Sequence, residues 1–174
     1  MSNHFISLAK ICKTIVVFIL YFIATQTSFA QVNLSSSNLP IIIINTNGAT
    51  IVDEPKTMAN MSIINNRLGV ENKITDPANE YNGKIGIELR GSTSQSFPKK
   101  PYGFETWDDK GEDNDVILLG MPKESDWTLN ASYNDKSLMR DGLAYMFAGQ
   151  IMDYAPRVRY VELVLNGQYQ GVYM

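Results

Sequence analysis

Asn166-Gly167 sits between two runs rich in β-branched, aliphatic and aromatic residues, Arg157–Leu165 and Gln168–Met174. Asn and Gly both tolerate the left-handed backbone that a two-residue hairpin turn requires, so this spacing predicts a β-hairpin turning at 166–167. Two strands alone are not stable in water, so the rest of the chain must supply a sheet that receives them.

Further strands are legible upstream. Pro40 precedes Ile41-Ile42-Ile43-Ile44, a β-branched run that reads as a buried strand. Asn47-Gly48 is a second turn signal, and Ile51-Val52 and Met58–Ile64 are weaker strand candidates. Residues 65–82 are rich in Asn, Asp, Gly and Pro and read as a loop. From Lys84 to Arg90 the chain alternates, with Ile85, Ile87 and Leu89 on one face and Lys84, Glu88 and Arg90 on the other. Lys99–Trp107 alternates again, placing Lys100, Tyr102, Phe104 and Thr106 together. Val116–Met121 and Trp127–Ala131 complete the strand candidates. The acidic stretch Asp108–Asp115 reads as a solvated hairpin tip, because its carboxylates do not follow the spacing of a calcium loop.

One helix is expected. Asn134-Asp135 offers an N-cap, and Met139, Leu143, Met146 and Phe147 follow helical spacing. Lys136 to about Met152 therefore reads as an amphipathic helix with its Met residues filling a core, ended by Pro156. The fold class is α+β: a mostly antiparallel sheet with one amphipathic helix. The sequence stops inside its last strand. An open apolar strand needs cover, so the domain reads as truncated, with an edge that invites low solubility or pairing with another chain.

Residues 1–30 form a different kind of segment. Lys10 and Lys13 precede an apolar run over 14–24, and Ser28 and Ala30 place small residues before Gln31. This is the pattern of a cleavable secretory signal peptide, with cleavage near Ala30-Gln31. The run is shorter than the roughly 20 residues a membrane-spanning helix needs, so no transmembrane anchor is expected once the signal is removed. Residues 31–39 then form a flexible lead-in, and 40–174 the domain. The single Cys, Cys12, and the single His, His4, both leave with the signal. That excludes disulfides, thiolate chemistry and a His base from the mature chain. A formal net charge of −3 with no basic tract argues against nucleic acid as a partner. Secretion or display at the cell surface or in a periplasm is the expected location.

The chemistry-bearing stretch is the strand 84–90, the small hydroxyl-rich loop Gly91–Ser96, and the strand carrying Lys99-Lys100. Such a loop brings backbone N–H groups and hydroxyls to a phosphate, and a neighbouring lysine adds charge to it. No Walker loop occurs, and on its own a Gly/Ser turn is a weak signal.

Three segments in order carry a more specific signal: Arg90-Gly91-Ser92-Thr93-Ser94 with Pro98-Lys99-Lys100-Pro101-Tyr102; Trp127-Thr128-Leu129 with Asp135-Lys136-Ser137-Leu138-Met139-Arg140; and Val161-Glu162-Leu163-Val164-Leu165-Asn166-Gly167-Gln168-Tyr169-Gln170-Gly171-Val172-Tyr173. Together they resemble the N-terminal portion of the CotH (spore coat protein H-like) atypical protein kinase family. The resemblance implies a kinase-like N-lobe in an exported protein that binds ATP with a divalent metal such as Mg and phosphorylates Ser/Thr of a protein substrate. It implies that Gly91, Ser92, Thr93 and Ser94 form the loop over the phosphates, and that Lys99 or Lys100 contacts them, Lys100 being favoured. Arg90 and Arg140 are candidate phosphate or structural arginines. Asp141 is a candidate partner for the lysine, in a helix that lacks the usual glutamate. Tyr133 and Trp127 read as core or surface aromatics before an adenine-stacking role. In the family the catalytic and metal-binding carboxylates follow the hairpin, so no catalytic or metal-binding residue is expected in this chain, which alone would be inactive. A non-catalytic surface binding or adhesion module of the same fold is the alternative.

Overall fold

A computed structural model describes residues Asn33–Met174. The signal-peptide reading of 1–30, with His4 and Cys12, lies outside the described residues.

Among the described residues, nine strands and one α-helix follow in order: β1 (Ser36–Ser37), β2 (Ile41–Asn45), β3 (Thr57–Ile64), β4 (Asn72–Lys73), β5 (Tyr81–Leu89), β6 (Tyr102–Trp107), β7 (Asp126–Leu129), α1 (Arg140–Ile151), β8 (Val161–Leu165) and β9 (Gln168–Tyr173). Strands β1 and β4 pair on their own, while the other seven form one sheet in the order β7-β6-β5-β3-β2-β8-β9. All pairings are antiparallel except β2 with β8, which is parallel with Ile41 opposite Glu162 and Ile44 opposite Leu165. The architecture is thus a mixed α+β sheet, not a purely antiparallel one.

The sheet curls until its edges meet. Asn130, just past β7, and Met174, just past β9, exchange backbone hydrogen bonds in both directions. The open edge expected at the last strand is therefore partly covered from within the chain. Inside the curl lies the main core, including Ile42, Ile44, Met61, Ile63, Ile85, Ile87, Phe104, Leu163 and Tyr173. A smaller cluster of Ile41, Ile64 and Val164, with Leu34, Ile43 and Ile74 against it, covers the other side of the central strands. Strand β2 is apolar on both faces for that reason; a strand covered twice does not alternate. Burying each such aliphatic side chain is worth about 1.5–3 kcal/mol.

The hairpin turns as the sequence requires, with Asn166 at φ 51° and Gly167 at φ 76°. Asn47 and Gly48 also adopt positive φ, in a turn within the longer β2–β3 connection. Strand β3, a weak candidate in the sequence, is eight residues long and pairs on both sides. Ile51-Val52 lies outside any strand, and from Val116–Met121 only an isolated bridge between Val116 and Glu124 forms. The acidic stretch is a hairpin tip in which the Asp108 carboxylate accepts the amides of Lys110 and Glu112.

The helix departs most from expectation. It begins at Arg140, four residues later than the spacing suggests, and Met139 holds the N-cap position with no side-chain cap. Leu143, Met146, Phe147 and Ile151 are exposed, and Gly142 is the one buried helix residue. Periodicity sorts a helix into faces; it does not say that something covers the apolar one. Among the described residues, no helix is long and apolar enough to cross a membrane.

Candidate functional site

Two loops face each other across an open groove of about 330 Å³. One wall comes from the β5–β6 connection, through Ser94, Phe97, Lys99 and Pro101; the other comes from residues 130–141 between β7 and the start of α1. Phe97 and Tyr133 stack across the groove with ring centroids 5.2 Å apart. Polar and charged groups on the second wall include Asn130, Asp135, Arg140 and Asp141.

The β5–β6 loop is tightly wound. Gly91 takes φ 90°, and a β-carbon there would collide with the Ser94 hydroxyl, so the bend needs glycine. Thr93–Ser96 then forms one 3-10 turn. The Gln95 amide side chain donates to the Gly91 carbonyl at 2.6 Å and to the Asp53 carboxylate at 2.8 Å. Ser96 Oγ donates to the Thr93 carbonyl at 2.7 Å. Several hydroxyls and amides of the loop are thus engaged in holding its own shape.

The two lysines part company. Lys100 Nζ donates to the Gln95 carbonyl at 2.6 Å, which ties it to the loop. Lys99 Nζ donates to the Val172 carbonyl and lies 4.4 Å from the centroid of the Tyr173 ring. Burial lowers the Lys99 pKa from the ordinary lysine value, and the charge of Glu162 opposes that shift. Lys99 reaches β9 where the β8–β9 register slips between Leu163 and Val164 and Gly171 takes φ 91°. Tyr173 meets the same corner, its hydroxyl donating to the Lys100 carbonyl at 2.9 Å.

On the opposite wall, Asp135 organises the approach to α1. Its carboxylate accepts the Ser137 amide and hydroxyl and, at 2.8 Å, the Arg140 amide. The expected cap residue therefore caps from four positions before the N-cap. The Arg140 guanidinium is exposed and 3.6 Å from the same carboxylate. The hydrogen bond from the Arg140 amide, followed by that from the Ser137 hydroxyl, lowers the Asp135 pKa from its ordinary value. Asp141 Oδ2 accepts from the Asn130 side chain at 2.9 Å, so its partner in the structure is an amide.

Of the residues singled out from the sequence, Ser94, Lys99, Arg140, Asp141 and Tyr133 line one groove. Gly91, Ser92 and Thr93 are exposed at the far side of the loop, Arg90 is exposed beside them, and Lys100 is outside the groove lining. Trp127 packs on the core, stacked on Phe104. Asn130, Phe97 and Ser132 were not legible as groove residues. Asn130 is placed by its pairing with Met174 and Phe97 by its stacking on Tyr133, long-range contacts that no local pattern contains.

Residues 87–174 match the family model described as CotH kinase protein. The chain is similar to the Bacillus subtilis (strain 168) protein named Inner spore coat protein H, with 31% identity over 90 residues, covering 52% of this chain and 22% of that protein. It is also similar to the Inner spore coat protein H-like protein of the same organism, 50% identical over 46 residues, covering 26% of this chain and 15% of that protein. The chain thus spans under a quarter of the length of the curated relatives it matches. The match takes in the end of β5, both groove walls, α1 and the closing hairpin. On that match, the chain belongs to the CotH family.

Proposed function

We propose that this chain is the nucleotide-binding part of an exported CotH-type protein kinase, with the groove between residues 94–101 and 130–141 receiving ATP. The observation that carries this reading is the convergence of Ser94, Lys99 and Arg140 on one open groove with an aromatic wall. Lysine and arginine supply the charge an oligophosphate needs, and a stacked aromatic pair offers a flat apolar surface for a base. Lys99 is the lysine best placed, since moving from the Val172 carbonyl to an anion would exchange a neutral acceptor for a charged one.

A divalent metal fits less well. Among the described residues, no group of three or more His, Cys, Asp or Glu side chains is arranged to hold an ion. We therefore assign ATP binding to this chain and no phosphoryl-transfer step. The protein substrate would be engaged by the longer CotH proteins. Export to the cell surface accords with the spore-coat names of the relatives.

The test is calorimetric titration of the 174-residue chain with ATP, with and without Mg. Binding that falls at least tenfold in both Lys99→Ala and Arg140→Ala supports the reading. Arg140 is exposed, so its loss does not disturb the core. No binding by the wild type, or wild-type affinity in either variant, overturns it. A second reading, a non-catalytic surface-binding module, is favoured by the exposed Leu143, Met146, Phe147 and Ile151 on α1. It predicts that polar substitution of these four residues abolishes adhesion and leaves ATP titration silent.

A further inference from the structure

We infer that Tyr160 is a positioning residue for the groove, pinning the end of its 130–141 wall; the inference rests on the groove being a nucleotide site. Tyr160 lies outside the groove, in the segment leading into β8. Its hydroxyl donates to the Leu138 carbonyl at 2.8 Å. Leu138 takes φ 58°, a left-handed backbone uncommon for a bulky residue, so something other than local preference must hold it. Two residues later the chain enters α1 with Arg140 and Asp141, both on the groove.

The same phenol also touches the helix. A β-carbon built on Gly142 would lie 2.5 Å from the Tyr160 hydroxyl and 3.4 Å from Met174 Sδ. Glycine at 142 thus lets one hydroxyl sit against the first turn of α1 and the carbonyl just before it. Gly142 is also the one buried residue of the helix, the rest of which is largely exposed. Tyr160 thus joins Asp135, which accepts the Arg140 amide, and Asn130, which donates to Asp141, in setting the direction in which Arg140 and Asp141 enter the groove.

Two substitutions probe this from opposite sides. Tyr160→Phe deletes the donor and keeps the ring. Gly142→Ala pushes the hydroxyl off Leu138 and keeps the donor. Each is expected to weaken ATP binding about fivefold or more in calorimetry, and Gly142→Ala added to Tyr160→Phe is expected to cost less than it does alone. In amide NMR spectra of Tyr160→Phe, residues 138–142 should shift while Gly91–Ser94 should not. Unchanged affinity in Tyr160→Phe overturns the inference, as does an affinity loss matched by the fraction of unfolded protein. If the wild type binds no ATP, the nucleotide reading falls and the amide shifts alone decide: movement at 138–142 supports the pin, and its absence overturns it.

Discussion

Asn130 and Met174 hold each other by two backbone hydrogen bonds, Asn130 N–H to Met174 O at 2.7 Å and Met174 N–H to Asn130 O at 3.1 Å. This pair closes the curl of the sheet and places Asn130 where its side chain reaches Asp141. The hairpin that ends the described fold therefore also shapes the groove wall.

Tyr173 reinforces the same seam. Its ring is 1% exposed, and its hydroxyl donates to the Lys100 carbonyl. Tyr173→Phe is expected to lower unfolding free energy by about 1 kcal/mol, the net worth of one such bond. Urea denaturation should show a lower midpoint with an unchanged slope; an unchanged midpoint would mean that the bond contributes nothing to closure.

Gly86 lies beneath Trp107, and any β-carbon there would overlap the indole ring. A methyl group and the indole cannot share that space, so Gly86→Ala is expected to push Trp107 away and weaken the hydrogen bond from its indole N–H to Glu105 at 3.2 Å. A loss of about 1–3 kcal/mol is expected from overpacking. Thermal unfolding read by Trp fluorescence should register both the loss of stability and a changed emission. Wild-type stability in Gly86→Ala would show that the indole has room to move.

The start of α1 should be acid-labile. The folded pKa of Asp135 is lowered from 3.8 by the hydrogen bonds it accepts from Arg140 and Ser137. A lowered carboxyl pKa stabilises the fold above the unfolded value, and that contribution disappears as pH falls through the folded value. The protection factor of the Arg140 amide, its exchange corrected for the intrinsic pH dependence, should thus fall below the ordinary Asp range in the wild type. In Asp135→Asn it should be lower at neutral pH and lose this acid dependence. A wild-type Arg140 protection factor that does not change with pH would refute the capping role.

Much of the sheet was readable because its signals are local. The Asn166-Gly167 turn needs only two residues, and the alternation at 84–90 names its own faces. Strand β3 was hard to see because Asn60 and Ser62 stand between Ala59, Met61 and Ile63, a period of two in residues of modest β-propensity. The parallel pairing of β2 with β8 has no local trace. The groove was half legible. Lys99 and Arg140 stood out by residue type, whereas the presence of Lys99 and not Lys100 in the groove lining goes with a contact to Val172 in a distant strand. The exposure of α1 was illegible, because periodicity records a helix's faces and not its neighbours.

The parallel β2–β8 pair has a kinetic consequence. Strand β2 finds β3 nearby in sequence but reaches its other partner only across most of the chain; at the same corner Thr46 and Asn166 bond from 120 positions apart. Loop closure over such a span is slow compared with forming adjacent hairpins. During synthesis the antiparallel half should therefore assemble first, leaving Ile41–Ile44 as a sticky border until the final hairpin docks. Pulsed hydrogen-exchange labelling should find β8 and β9 protected last, and a holding chaperone should raise refolding yield by shielding that border.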